Sequence, residues 1–307
     1  MRDISSKVPS FRTARARALL RTSTSTIEKI KNQEIPKGNP LEVAKVAAVQ
    51  AAKSTSQIIP YCHQLSLDFV GVDFQLDEDS ITIETTVKVT HKTGVEMEAL
   101  VAASVAALTI YDMVKMLDDI AEIEGVTLLE KTGGKSDFKP DVEKPVRAAV
   151  IVLSDSVSRG ESEDRSGKLI VERLEQTGIR NVEYLVLPDN EEELVKTARN
   201  LCDRDGIDLI LTTGGTGMGP RDKTPEALQR LFDRALPGIS EALRAHGQQR
   251  NPYAMLSRSV AGVRNKTILV SMPGSAGGVS DSLDLLLPHV LHGLSMLEGK
   301  GHKQSVS

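Results

Sequence analysis

Residues 146–154, Val-Arg-Ala-Ala-Val-Ile-Val-Leu-Ser, decide the fold of the second half of the chain. The run is almost entirely apolar, which predicts a strand buried on both faces, as in parallel sheets covered by helices. Helices are then predicted at 164–177, 191–204 and 279–297, alternating with strands at 182–187, 208–213 and 267–272. We therefore expect an α/β domain of three layers around a mainly parallel sheet, with ligands at the carboxyl ends of its strands.

The segment before this strand carries two prolines and five charged residues between positions 137 and 146. Such a composition, without apolar periodicity, is typical of an extended linker. At 307 residues the chain has the length of about two domains. We assign a first domain to residues 1–138, a linker to 139–146 and a second domain to 147–307.

The first domain follows a different order of elements: helix, strand, strand, helix and strand. Apolar and polar residues alternate over 70–77 and 81–90, which predicts a hairpin with one face exposed to solvent. Helices at 41–53 and 96–117 flank the hairpin, and a short strand follows at 126–131. These elements predict an α+β, ferredoxin-like domain with a mostly antiparallel sheet and helices on one side.

The composition excludes several classes of partner. The net charge is −4, neither half is strongly basic and aromatic residues make up 3%, which argues against nucleic acid as a partner. The longest charge-free apolar run, residues 99–111, is too short to cross a bilayer. The two cysteines lie far apart and suggest no disulfide framework. We expect a cytoplasmic protein without a nucleic-acid or membrane partner.

A glycine-rich turn follows the third predicted strand of the second domain. Its residues are Gly214, Gly215, Thr216 and Gly217, and a helix is predicted to begin near Thr224. Glycines let the backbone approach a ligand closely, and free amides there can hold a phosphate. No Gly-Lys-Ser/Thr closes the turn, so it is not a Walker A loop. The same run could equally be a plain tight turn between a strand and a helix.

Three aspartates, Asp155, Asp189 and Asp222, follow predicted strands or lie a few residues past their ends. In a parallel sheet these positions meet at one rim. Carboxylates beside a phosphate-binding loop repel the phosphate unless Mg²⁺ bridges them. A single aspartate in such a loop is commonly only a cap or turn residue. Three of them beside a glycine loop favour a site for a nucleotide with Mg²⁺.

The motifs of the second domain resemble the molybdopterin adenylyltransferase family, which includes MogA and MoaB members. They are Ser-Asp-Ser at 154–156, Leu-Pro-Asp-Asn at 187–190, Thr-Thr-Gly-Gly-Thr-Gly at 212–217 and Met-Pro-Gly-Ser at 272–275. The resemblance implies binding of ATP and molybdopterin, with adenylyl transfer to the terminal phosphate of the pterin. It also implies catalytic roles for Asp189 and Asp222, with Asp222 at Mg²⁺. Ser154, Asp155 and the loop 214–217 would contact ligand.

Asp112 and Lys115 lie three residues apart on a predicted helix and therefore share one face. An isolated pair of this kind can be a surface ion pair that contributes little. The helix is small and apolar over 99–110, so a charged pair at its end could instead sit in a pocket. Burial beside a second cation would lower the pKa of a lysine towards a useful acid/base range. The same argument applies to Lys53, which could also simply favour a helix dipole.

Three further groups of residues complete the candidate site of the first domain. Each group also has a purely structural explanation. A histidine in an apolar stretch can be a core residue, acids near the start of a helix can stabilise the helix dipole, and a Gly-Gly-Lys-Ser segment can be a simple turn. The residues are Tyr61, Cys62 and His63, then Glu96, Met97 and Glu98, and finally Lys135.

Residues 43–63, 92–115 and 128–136 resemble the cyclic pyranopterin monophosphate synthase family, the MoaC family. The resemblance implies conversion of a GTP-derived cyclic dihydropterin triphosphate to cyclic pyranopterin monophosphate, with loss of pyrophosphate. It implies that Lys53, Asp112 and Lys115 are catalytic, that the other residues contact substrate and that Lys135 lies near phosphate. No metal-ligand spacing occurs in this half, so we expect acid/base residues alone, without a cofactor.

We interpret the chain as a bifunctional enzyme of molybdenum cofactor biosynthesis that acts on small pterin and nucleotide substrates. The side chains of the first domain should converge on one triphosphate-sized hollow, within one chain or across neighbouring protomers. Both families assemble with threefold symmetry, so we expect a homo-oligomer, a trimer or hexamer. Two alternatives remain for the second domain. One is a pterin-binding scaffold without transfer activity, and the other is a generic phosphate-binding NTPase, against which the missing Walker A lysine argues.

Overall fold

The computed structural model describes residues 1–134, 137, 144–204, 206–297 and 299. The chain divides into two compact units, Met1–Phe138 and Lys139–Ser307. Most of the expected linker, residues 139–143, lies outside the described residues.

The first unit contains four strands and four helices within its described residues. They are β1 (Ser10–Arg21), α1 (Thr24–Lys31), α2 (Pro40–Lys53), α3 (Thr55–Ile58), β2 (Phe69–Leu76), β3 (Ser80–His91), α4 (Glu96–Val114) and β4 (Glu122–Thr132). The sheet has the order β2-β3-β1-β4, and each neighbouring pair is antiparallel. The expected antiparallel sheet is present, and its element order is that of a β-α-β-β-α-β motif.

Strand β1 was not expected from the sequence. Its inward positions are mostly alanine, a residue depleted in strands, and its outward positions are mostly arginine. Ala14, Ala16 and Ala18 are fully buried, whereas Arg15 and Arg17 lie on the other face and pair with Glu84 at 2.7 and 2.6 Å. Buried and exposed residues therefore alternate along the strand, as a β-strand requires, but the β-branched residues that usually mark a strand are missing from its buried positions.

Small residues let α4 lie close to the sheet. Alanines at five positions of α4 are fully buried, and the helix packs against β1, β3 and α2. By length and composition alone α4 could cross a membrane, but half of it is buried inside the first unit, as in a core helix. The opposite face of the sheet carries the charged residues, which gives this unit the expected single wet face.

The second unit has six strands within its described residues, arranged β6-β5-β7-β10-β9-β8. Its elements are β5 (Arg147–Leu153), α5 (Asp155–Ser158), α6 (Ser166–Gln176), β6 (Asn181–Leu187), α7 (Glu191–Asp203), β7 (Leu209–Thr213), α8 (Thr224–Gln229), β8 (Arg234–Ala235), α9 (Pro237–Gln248), a 3₁₀ helix (Pro252–Leu256), β9 (Ala261–Arg264), β10 (Thr267–Met272) and α10 (Ala276–Leu297). Strands β5, β6, β7 and β10 are parallel, and β9 and β8 add an antiparallel edge that the sequence did not predict.

Helices cover both faces of this mixed sheet. Leu174 of α6 and Val279 of α10 belong to a core on one face, and Leu194 of α7 and Leu228 of α8 belong to a core on the other. The expected three layers are therefore present. The parallel strands end at Leu153, Leu187, Thr213 and Met272, so the turns that follow them share one rim.

Candidate functional sites

The glycine loop between β7 and α8 is a tight turn that requires glycine. Gly214 and Gly215 have φ of +102° and +63°, and a Cβ added at Gly214 would lie 2.2 Å from the carbonyl oxygen of Leu153. The Thr224 hydroxyl donates to the carbonyl of Gly214 at 3.0 Å, and the Thr224 amide donates to that of Gly215 at 3.2 Å. Thr216 is buried in the same loop. The start of α8 thus fixes the loop against the end of β5.

The three aspartates of the second domain lie close together beside this loop. Asp155 accepts a hydrogen bond from the amide of Asp189 at 3.0 Å and pairs with Arg221 at 2.8 Å. Asp222 accepts from the amide of Gly219 at 2.7 Å. Loss of water around the carboxyl raises the pKa of Asp189 above its usual value, and the charges of Asp155 and Asp222 raise it further. The rim therefore carries acids that repel one another.

The acids at this rim could hold a cation together with the phosphates of a bound nucleotide. Within the described part of the chain, no group of three His, Cys, Asp or Glu could hold a metal ion by itself. Mg²⁺ is commonly held by one or two carboxylates together with substrate phosphates, so Asp189 and Asp222 could supply the protein's share. Ser154 accepts from the amide of Val157 at 3.3 Å and caps α5, which gives it a structural role.

A cleft of about 720 Å³ is lined in part by the glycine loop. Its lining includes Thr216 and Gly217 of the loop together with Arg244 and Arg250. Its size suits a small organic ligand. Sequence reasoning missed both arginines, because Arg244 follows the pattern of an ordinary surface helix and Arg250 lies just beyond the end of α9.

In the first domain Asp112 lies between two lysines. Lys115 approaches it at 2.8 Å, and Lys37 donates to its carboxylate at 2.8 Å and to its carbonyl oxygen at 2.9 Å. The hydrogen bonds from Lys115 and then Lys37 lower the pKa of Asp112 to about 2. All three side chains are exposed, by 55% for Asp112, 49% for Lys115 and 41% for Lys37.

Of the two alternatives for Asp112 and Lys115, the structure shows the exposed ion pair and not a buried lysine with a lowered pKa. Lys115 is exposed, and its hydrogen bond with Asp112 raises its pKa. The lysine therefore stays charged at neutral pH. Lys53 is also exposed, at the end of α2.

A second cluster lies at the beginning of α4. Glu98 is only 4% exposed, and burial, with a smaller effect of the Glu96 charge, raises its pKa to about 7. Burial and the Glu98 charge also raise the pKa of Cys62. Glu96 pairs with Lys131 at 3.2 Å. His63 donates from Nε2 to the carbonyl of Arg2 at 2.9 Å.

The predicted residues of the first domain therefore form two clusters at opposite ends of α4. Asp112 lies fourteen positions after Glu98, which is about 21 Å along a helix. Lys37 precedes α2, and α2 packs along α4, so Lys53 lies towards the Glu98 end. Within one chain these side chains do not converge on a single hollow, contrary to one of the two arrangements we expected.

The structure says less about the other candidate residues. Tyr61 is 78% exposed and Met97 is exposed at the start of α4. Lys135 lies outside the described residues. Sequence reasoning missed Lys37 and Lys131, which join the clusters only through the tertiary fold.

Comparison with known families defines the class of each domain. Residues 1–134 match the MoaC family, and residues 149–292 match a family described as a probable molybdopterin binding domain. A molybdenum cofactor biosynthesis bifunctional protein from Chlorobaculum tepidum is 43% identical over 302 residues, covering 98% of this chain and 96% of that protein. The chain belongs to this family of bifunctional molybdenum cofactor biosynthesis proteins, so both resemblances are confirmed at the level of the family.

Two further relatives each match one domain. A cyclic pyranopterin monophosphate synthase from Syntrophomonas wolfei is 52% identical over 138 residues, covering 44% of this chain and 88% of that enzyme. The crystal structure of the molybdopterin biosynthesis enzyme MoaB from Thermus thermophilus is 42% identical and covers 50% of this chain and 98% of that chain, with a TM-score of 0.48.

Proposed function

We propose that the first domain is a cyclic pyranopterin monophosphate synthase. It converts a GTP-derived cyclic dihydropterin triphosphate to cyclic pyranopterin monophosphate and releases pyrophosphate. The observation that carries this proposal is Asp112 held between Lys37 and Lys115, at positions that resemble catalytic positions of the MoaC family. The synthase from Syntrophomonas wolfei, 52% identical over this domain, supports it.

The two clusters suit different parts of this reaction. Lys115 has a raised pKa and stays cationic, so it can hold phosphate oxygens or donate a proton. Glu98 has a pKa of about 7, which is near the optimum for a general acid or base at neutral pH. The rearrangement of a ring needs several proton transfers, and no metal is required for any of these roles.

We further propose that a second copy of the chain completes the site. Two clusters separated by the length of α4 cannot contact the same reacting ring from one chain. Large apolar side chains are exposed on α2, on α4 and just after α4, where a partner could cover them: Val46, Leu108, Met116 and Ile120. We expect a trimer or hexamer in light scattering, and a monomer at micromolar concentration would contradict this proposal.

The synthase assignment is tested by two lysine variants. Lys53→Ala and Lys115→Ala should each abolish pterin formation, measured by product chromatography. Adenylation by the second domain should persist in both variants, which shows that the loss is confined to the first domain. Full pterin synthesis in both variants would refute the assignment of the lysines.

We propose, as a second activity, that the second domain adenylates molybdopterin with ATP. Support comes from the three neighbouring acids beside the glycine loop, and from the cleft of about 720 Å³ that this loop lines, which could take the pterin. Adenylyl transfer needs aligned reactants and neutralised phosphates more than covalent help from the protein. Mg²⁺, when bound with the nucleotide, would supply that neutralisation, and Asp189 and Asp222 would hold it.

An assay of ATP-dependent adenylation decides between this activity and its alternatives. Asp222→Ala should lose transfer while retaining pterin binding. A parent protein that binds pterin without consuming ATP would be a scaffold, and one that hydrolyses ATP without pterin would be an NTPase. Adenylation that survives Asp222→Ala would remove this residue from the mechanism.

A further inference from the structure

Arg258, in the segment between the 3₁₀ helix and β9, holds three parts of the second domain together. Its Nε donates to the carbonyl of Gly217 at 2.7 Å, its Nη2 donates to the carbonyl of Asp222, and its Nη1 pairs with the Glu226 carboxylate. The backbone amide of Arg258 also donates to the carbonyl of Thr216 at 2.9 Å. Each nitrogen of the guanidinium therefore has its own acceptor, an arrangement that suits a rigid, planar fork of donors.

Arg258 binds the backbone of Asp222 and leaves its carboxylate to the loop. Asp222 Oδ2 accepts from the amide of Gly219 at 2.7 Å, and the Asp222 amide donates to the Gly219 carbonyl at 3.1 Å. A Cβ added at Gly217 would lie 2.7 Å from the same Oδ2, so the carboxylate packs closely against the loop. The side chain proposed to hold Mg²⁺ is thus oriented by its loop, and Arg258 fixes that loop.

Glu226 is the anionic partner of the guanidinium. The hydrogen bond from Arg258 lowers the pKa of Glu226, so this carboxyl is ionised at neutral pH. Glu226 lies in the first turn of α8, whose first residue, Thr224, also binds the glycine loop. The pair therefore ties the loop to a helix. It also offsets the positive charge of Arg258, which would otherwise repel a cation bound at Asp222.

The two neighbours of Arg258 in the sequence belong to the cleft. Ser257 and Ser259 line it, and Arg244, which lines it as well, donates to the carbonyl of Ser259 at 3.1 Å. The Arg258 side chain instead contacts Gly217, Asp222 and Glu226. Replacing this side chain therefore leaves the serines and Arg244 of the cleft in place, which allows an effect on metal binding to be separated from an effect on the cleft.

We propose that Arg258 is a positioning residue of the second domain. It holds the backbone of Asp222 and the glycine loop in the conformation in which Asp222 can share a divalent cation with nucleotide phosphates. In this role Arg258 acts through Asp222 and the loop. Its loss should weaken metal binding in the nucleotide complex and slow adenylyl transfer, without weakening pterin binding in the cleft. This inference rests on the proposed adenylation activity.

Binding of Mn²⁺ to the full chain with a nonhydrolysable ATP analogue tests the proposal by electron paramagnetic resonance. Mn²⁺ suits the same oxygen ligands as Mg²⁺. Arg258→Ala should weaken Mn²⁺ binding by at least about tenfold, because the hydrogen bonds from a charged donor are lost. Arg258→Lys should recover only part of the affinity, since an ammonium keeps the charge but not the planar fork. Arg180→Ala, which removes an exposed arginine between α6 and β6, is the matched control and should bind Mn²⁺ as the parent does.

The affinity for molybdopterin is the second measurement, made on the same variants by fluorescence quenching. Arg258→Ala should bind the pterin as the parent does, while the kcat of adenylation falls with the Mn²⁺ affinity. Unchanged Mn²⁺ affinity in Arg258→Ala, or full recovery in Arg258→Lys, would overturn the proposal. Loss of pterin binding together with Mn²⁺ binding would also overturn it, because Arg258 would then support the fold of the whole region.

The Mn²⁺ measurement does not require turnover, so it separates this proposal from the proposed activity. A parent chain that binds Mn²⁺ with the nucleotide but transfers no adenylyl group would refute the adenylation activity and keep the role of Arg258 in metal binding. A parent chain that binds no Mn²⁺ with the nucleotide would refute both.

Discussion

Lys37 and Asp112 are 75 residues apart in the sequence, yet the Lys37 ammonium lies 2.8 Å from the Asp112 carboxylate. The same ammonium also donates to the Asp112 carbonyl oxygen, so Lys37 joins the loop before α2 to the last turn of α4. Asp112 is thereby held by one lysine from its own helix and one from elsewhere in the fold.

Replacing Lys37 with alanine should raise the pKa of Asp112 from about 2 towards its ordinary value of 3.8. Lys115 remains, so the shift should be partial. Pterin formation should fall several-fold, because the carboxylate loses one of the two groups that orient it. A carbon-detected NMR titration of Asp112 measures the shift, with Lys31→Ala as the matched control. An unchanged titration would show that Lys37 does not hold the carboxylate in solution.

Glu98→Gln should change how the stability of the first domain depends on pH. The pKa of Glu98 is raised from 4.5 to about 7, so the folded state binds this proton more tightly than the unfolded state does. Its stabilising effect is therefore complete below about pH 4.5 and is lost as the pH rises to about 7. The parent should lose up to about 3 kcal/mol across this interval, and the glutamine variant should not.

Amide hydrogen exchange of α4, compared between variant and parent at the same pH, reports this difference. Glu28→Gln is the control, because Glu28 is exposed on α1 and is not among the charges that shift Glu98. If the parent and Glu98→Gln respond alike between pH 5 and 8, Glu98 titrates near its ordinary value.

Gly214→Ala should disable the second domain and leave the first intact. The added Cβ would lie 2.2 Å from the Leu153 carbonyl, at a φ of +102° that L-residues rarely adopt. We expect adenylation to fall by at least about tenfold, since backbone strain alone costs about 1–3 kcal/mol. Gly238→Ala in α9, where an added Cβ meets nothing within 4 Å, is the matched control. Equal adenylation by both variants would show that the conformation of the loop is not needed for the activity.

Removal of divalent metal should separate the two proposed activities. A chelator should abolish adenylation, because the acids beside the glycine loop repel nucleotide phosphates without a bridging cation. Pterin formation should continue, because the groups assigned to it are lysines and carboxyls. Both rates can be followed in one preparation before and after Mg²⁺ is restored. Loss of pterin formation under chelation would contradict the proposed metal-free mechanism.

Much of the second domain could be predicted because its signals are local. The strands β5, β6, β7 and β10 are apolar runs that end in polar or glycine-rich turns, and parallel packing brings such turns to one rim. The edge strands β8 and β9 are two and four residues long, too short for a periodic pattern. They could not be recognised without their pairing partners.

The site of the first domain could be predicted only in part. Family motifs marked Asp112, Lys115 and Glu98, but helical spacing does not show that the thirteen residues between Glu98 and Asp112 place them at opposite ends of one rigid element. Lys37 lies in a short turn without periodicity, and only the packing of α2 on α4 brings it to Asp112.

The alanine-lined helix α4 fixes the distance between the two clusters at its ends. Each residue of a helix adds about 1.5 Å and turns the chain by about 100°. One inserted residue would therefore swing Glu98 to a different side of the axis relative to Asp112. In an assembly where each copy contributes the two ends of α4 to two different catalytic centres, the length of this helix would set the distance between those centres. Neither end of the helix could then shift without moving the other.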